Sequence, residues 1–272
     1  MELQWPLIIF TTLVSWCAGT FATQAYLGLK GAGKKAQMPC WIVSAVLLVV
    51  GGIAVFFHLQ HWERIFNGFG HITSGITQEL IAIILLAIVA VIYLAMLRKN
   101  DNTVPKWVAI LAIVMSAVLV MVMGHSYMME ARQAWMTIAL PLSYWSTAAV
   151  AGAGLNLLLK GLAKDEAASV SFAGVLCAVC SVVALVCCAA FFIYAGAWLG
   201  GAKAGAVAWI AATFVCAAVA LVAGIAAVKK AESATVLGAV ACIAGVICAI
   251  AMRVAMWLVG TPLLDFFLQP LD

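Results

Sequence analysis

Eight long apolar runs divide this chain, at about 5–29, 40–59, 77–97, 106–128, 138–159, 169–194, 206–228 and 235–259. A helix needs roughly 20 mainly apolar residues to cross the hydrocarbon core of a bilayer, and each run supplies about that many. Inside lipid every backbone amide must find its partner within the protein, which leaves helices as the solution for spans of this length. Composition points the same way, with 67% hydrophobic and 9% charged residues, where an ordinary soluble domain carries about a quarter charged. Such a chain is excluded as a soluble enzyme, a disordered segment or a secreted disulfide scaffold. It is excluded as a nucleic-acid binder too, despite a net charge of +4. The expected fold class is all-α: a polytopic integral membrane protein, eight transmembrane helices in a bundle, forming one domain over residues 1–272.

Eight crossings place both termini on one side, and the basic residues say which. Segments 30–39, 98–105, 160–168 and 229–234, with Lys106 beside the second, hold ten of the fourteen Lys and Arg residues. The opposite side holds Arg64, Arg132, Lys203 and Arg253. With the acids included, the two sides carry +6 and −2. Lys and Arg accumulate in cytoplasmic loops, so both termini are expected to be non-cytoplasmic. Residues 1–4 hold an acid and no base, unlike the basic start of a cleavable signal, so the first run is expected to stay as a span. The tail from 260 is short, and Pro262 and Pro270 block a long helix there.

Few ionisable residues remain within the runs, and they gather on the non-cytoplasmic half. All four histidines, His58, His61, His71 and His125, fall there. His58 lies where the second run is still apolar, and His61 shares its face if the helix continues. Glu79 opens the third run, Tyr127 and Glu130 close the fourth, and Arg253 lies inside the eighth. An ionisable group at membrane depth is costly and is first a functional hypothesis. Each also has a plainer reading. A lone His or Glu near a helix end can be interfacial, Glu130 and Arg132 suit a solvated pair, and His61 and His71 suit a loop or docking role. Arg253, about two turns from the surface, can snorkel outward.

Redox ligands are harder to find. His58 and His125 could hold one b-type haem, but the other half of the bundle has no histidine, which excludes a two-haem path. Cys177 and Cys180 form a C-x-x-C inside the sixth run, followed by Cys187 and Cys188, in surroundings where thiols behave as small hydrophobes. No loop clusters cysteines as an iron–sulfur site would. The methionines Met121, Met123, Met128 and Met129 read as packing. Trp5, Trp41, Trp62, Trp107 and Trp135, at helix ends, read as packing and an aromatic belt. From about residue 148 Ala, Val, Gly and Cys dominate, which suits a tight structural bundle of helices 5–8.

The order of these residues resembles a known family. Trp5-Pro6-Leu7-Ile8-Ile9-Phe10-Thr11 followed by Gly19 is similar to the first helix of the membrane anchor subunit of dimethyl sulfoxide reductase-type complexes. His58-Leu59, Arg64, Asn67, Ser74 and Glu79 follow the family's order with nearly its spacing. Tyr127, Ala134-Trp135, Thr137 and Pro141 resemble its helix 4–5 region, and Arg253 matches an arginine in its last helix. Two departures stand out: Gln60-His61-Trp62 replaces the family's Gly-x-Pro, and Gly124-His125-Ser126 replaces an arginine before the tyrosine. The second raises His125 as a substitute ligand.

The resemblance implies an anchor in the cytoplasmic membrane of a prokaryote, surrounded by lipid. Such anchors hold a four-cluster iron–sulfur subunit and a molybdopterin catalytic subunit. They oxidise menaquinol for anaerobic respiration, with no metal, haem or iron–sulfur cluster of their own. Carried over by position, His58 is the quinol-site histidine and Glu79 the acid near it, with Arg64, Tyr127, His125 and Arg253 as further quinol-binding candidates. An imidazole suits the proton chemistry of quinol oxidation, and Glu79 could relay the proton to water. Arg253 could hold Glu79 ionised or stabilise an anionic semiquinone. Quinol site and docking face are then expected on the non-cytoplasmic side. Other readings are a quinone-interacting anchor of the polysulfide or formate-dependent nitrite reductase class, a purely structural anchor, and a small transporter. Against the last, no polar stripe crosses the membrane and the cytoplasmic halves of the helices hold no ionisable residue.

Overall fold

A computed structural model describes residues 3–57, 70–196 and 204–260. It contains α1 (Trp5–Leu29), α2 (Gln37–Phe56), α3 (Gly75–Lys99), α4 (Lys106–His125), α5 (Ala139–Leu162), α6 (Ala167–Gly196), α7 (Ala204–Lys229) and α8 (Ala234–Val259). Among the described residues there is no strand, and eight helices are long and apolar enough to cross a membrane. Pro6 sits in the first turn of α1, where its missing N–H costs no helical bond. Gly31 and Gly33 take positive φ in the turn to α2, which a residue without Cβ adopts freely. At Gly33 a side chain would also land 1.4 Å from the Lys160 Nζ.

The helices form two groups. Helices α5 to α8 close into a ring in which each packs on its neighbours and α5 packs on α8. In the other group α1 is central, packed on α2, α4 and α5, while α3 leans on α4 and scarcely touches α2. Apolar side chains gain little by leaving lipid for one another, so close van der Waals contact and hydrogen bonds must hold such helices together. Small residues provide the approach. A Cβ at Gly19 of α1 would lie 1.9 Å from the Ala148 carbonyl oxygen, and one at Gly152 of α5 would lie 2.2 Å from the Gly19 carbonyl carbon. The tight packing expected of helices 5–8 therefore extends to α1.

Hydrogen bonds supply the rest, and they depart from two expectations drawn from the sequence. A buried polar stripe does run along α1, through Thr11, Thr12, Ser15, Thr20, Thr23 and Gln24. Asn156 of α5 donates to the Thr20 carbonyl at 3.0 Å and the Thr23 hydroxyl at 2.8 Å. Gln24 and Gln37 bond to each other, and Tyr93 donates to Gln37 Oε1 at 2.9 Å. The half rich in lysines does hold an ionisable group, because α5 runs on to Leu162 and encloses Lys160, whose buried ammonium pairs with Asp165 at 3.4 Å. Hydroxyls such as Thr20 and Thr23 bond the carbonyls one turn back, so they fit within an apolar run without disturbing it. Asn156 and Gln37 draw Thr20, Thr23 and Gln24 of the stripe into helix-to-helix bonds.

Candidate functional site

Where α1 and α3 begin and α2 and α4 end, the thin contact between α2 and α3 leaves a cleft of about 510 Å³. Its walls are apolar, with Leu7 and Phe10 from α1, Val49 and Ile53 from α2, and Leu80 and Ile83 from α3. Its polar groups are Ser74, Glu79, Ser126 and Tyr127. Glu79, the fifth residue of α3, is only 9% exposed. Its carboxylate reaches Ser126, just past the end of α4, because Gly75 lets the two elements touch: a Cβ there would lie 2.7 Å from the Ser126 Cβ.

The Ser126 hydroxyl lies within hydrogen-bonding reach of Glu79 Oε1 and, at 2.9 Å, of the Met123 carbonyl. A hydroxyl has one proton to give. With Glu79 ionised, Ser126 donates to the carboxylate. With Glu79 protonated, Ser126 accepts from it and donates to the carbonyl instead. The pair can thus take up or release one proton by turning a hydroxyl, with no movement of heavy atoms.

Tyr127 is buried, its ring 6.0 Å from Trp135, 5.9 Å from Tyr144 and 6.1 Å from Trp257. Burial, reinforced by Tyr144 and Glu79 and opposed by Arg253, pushes its hydroxyl well above the usual tyrosine range. It stays a neutral donor near pH 7.

Arg253 lies one layer behind. It is completely buried and does not snorkel. Its Nε donates to Thr11 Oγ1 at 3.1 Å, its Nη2 to Ser15 Oγ at 2.6 Å and the Thr11 carbonyl at 3.2 Å, and its Nη1 to the Ala249 carbonyl at 2.9 Å. The guanidinium stacks 4.2 Å from the Tyr144 ring centroid. It ties α8 to α1 and bears on the cleft through Tyr144 and Tyr127.

Of the residues singled out by sequence, Glu79 and Tyr127 meet in the cleft. His125 and His71 are exposed and do not line it, while His58, His61 and Arg64 lie outside the described residues. Trp5 and Trp107 are exposed near helix starts, as a belt requires, but Trp135 is fully buried beneath Tyr127, its indole N–H donating to the Met256 carbonyl at 2.9 Å. Sequence reasoning missed Ser126 and Tyr144. Ser126 stands out in the sequence only as part of a departure from pattern, and Tyr144 sits in a run whose other residues give no reason to single it out.

The sequence profile of the DMSO reductase anchor subunit family (DmsC) matches residues 1–266. The chain belongs to this family. The C subunit of the anaerobic dimethyl sulfoxide reductase of Escherichia coli (strain K12) is 29% identical over 168 residues. That match covers 59% of this protein and spans 58% of the relative's length. For a DmsC-family protein the eight apolar helices make a multi-pass membrane protein, and the cleft is a concave site near one end of its bundle.

Proposed function

We propose that this chain anchors a dimethyl sulfoxide reductase-type complex in the membrane and that its cleft binds and oxidises menaquinol. The observation that carries the reading is the buried Glu79 carboxylate, with Ser126 and Tyr127 beside it, among the polar groups of an otherwise apolar cleft. The volume falls in the range of about 300–1,000 Å³ typical of small-molecule sites. An apolar ring with two hydroxyls suits such a lining, its hydroxyls directed to the polar groups.

Oxidation of one quinol releases two electrons and two protons. Ionised Glu79 accepts one proton as the quinol hydroxyl loses it, and Ser126 turns its own proton to the Met123 carbonyl. His58, three residues after the cleft-lining Val55 in the sequence, is the proposed acceptor for the other proton. Tyr127, held neutral, donates a hydrogen bond to a quinol oxygen. The electrons pass to an iron–sulfur subunit, proposed to carry four clusters, and on to a molybdopterin catalytic subunit. Membership of the family and the name of the relative support these partners. The ten-to-four distribution of basic residues supports a non-cytoplasmic position for the cleft and both termini.

Glu79→Gln and His58→Ala in the assembled complex test the reading. Quinol-dependent reduction is expected to fall by about 10²–10⁴ in each, the usual contribution of a positioned acid or base. Reduction driven by an artificial donor to the partner subunits stays unchanged. Unimpaired quinol turnover in both variants refutes the site.

A further inference from the structure

Two adjacent glycines in α2 have opposite surroundings. A Cβ at Gly51 would lie 2.8 Å from the Val14 Cγ2 of α1, so Gly51 is needed for packing. A Cβ at Gly52 would meet nothing within 4 Å among the described residues, and Gly52 lines the cleft. The open side of Gly52 therefore faces the gap between α2 and α3. Across that gap stand Ile76, Leu80 and Ile83 of α3, with Val49 and Ile53 flanking Gly52 on α2. Val49, Ile53 and Ile76 are all more than a third exposed, so the apolar wall continues from the cleft onto the outer, lipid-facing surface. Every described side chain of this passage is aliphatic, while the carboxylate and hydroxyls come from the start of α3, the residue before it and the loop after α4.

We propose that the gap between α2 and α3 is the lateral passage by which the isoprenoid tail of the quinol leads from the cleft into lipid, and that Gly52 keeps it open. The inference rests on the quinol reading. It adds where the tail runs and which residue sets the width of its path. Lipid is as apolar as these walls, so the tail gains little free energy from lying between them. The passage acts by steric admission, and discrimination arises from a clash built against one ligand and not another.

The test uses the full chain in lipid nanodiscs, with quinone binding followed by quenching of tryptophan fluorescence. One probe is menadione, the methylnaphthoquinone ring without a tail. The other is the same ring carrying a tail of isoprene units. In Gly52→Trp the affinity for the tailed probe is expected to fall by at least about tenfold while that for menadione changes by less than about twofold. Gly52→Leu fills the same gap with a smaller side chain and should give the same split if Gly52→Trp does not insert. Unchanged binding of both probes, or equal loss of both, overturns the passage while leaving the quinol reading in place. Failure of the unmodified chain to bind either probe overturns that reading, and the passage with it.

Discussion

The buried arginine behind the cleft gives a prediction whose sign is not obvious. Arg253→Met removes three hydrogen bonds to α1 and the stack on Tyr144. At about 0.6 kcal/mol for each bond between membrane helices and about 2 kcal/mol for a desolvated cation–π contact, the loss is about 4 kcal/mol. Against it stands the cost of holding a charge at membrane depth, about 2.5–3.5 kcal/mol, which the substitution removes. The hydroxyls left behind are not orphaned, because Thr11 donates to the Leu7 carbonyl at 2.8 Å and Ser15 to the Thr12 carbonyl at 3.1 Å. Arg253→Met should therefore cost only about 1 kcal/mol, the difference of these terms. Thr11→Val with Ser15→Ala keeps the guanidinium but strips two of its acceptors. Leaving two buried N–H donors unmet costs about 1–3 kcal/mol each, more for a charged group. The smaller change in charge is thus the larger change in stability, and adding Arg253→Met to that pair should restore much of the loss. Thermal unfolding of the purified chain in detergent, followed by tryptophan fluorescence, measures the order. An Arg253→Met variant less stable than Thr11→Val/Ser15→Ala refutes the reasoning.

Two further outcomes follow from the same geometry. Tyr127 has an ordinary pKa of 10.0, raised by burial in the folded chain, so above about pH 10 the unfolded state loses a proton the native state keeps, and stability falls as pH rises. Tyr127→Phe should remove part of that alkaline loss and leave stability near pH 7 little changed through this linkage. A pH–stability curve that does not differ from the parent's above pH 10 counts against the burial argument. Gly152→Val forces a side chain into the Gly19 backbone, 2.2 Å away; overpacking costs about 1–3 kcal/mol, more when backbone must move. Lower yield of folded protein and a lower unfolding temperature are expected, and a variant as stable as the parent disproves the close α1–α5 crossing.

The number of spans, their approximate limits and the family were all legible in the one-dimensional order of residues. Hydropathy adds along a chain, and a bilayer demands a fixed length of apolar helix wherever the segment ends up. Glu79 and Tyr127 stood out for the same reason, as polar groups in or beside apolar runs. What the order of residues did not reveal was which side chains meet. Arg253 bonds Thr11 and Ser15 across 242 and 238 residues, Ser126 reaches Glu79 across 47, and Lys160 turns inward where composition suggested a loop. In a soluble protein the polar side of a helix shows its rotation. Here, α1 apart, lipid-facing and packed faces are both mainly apolar, so pattern does not show how a helix is turned or which neighbour it lacks. Only the packing of α1 against α5, and the failure of α2 to close on α3, decided where the polar stripe is sealed and where the cleft stays open.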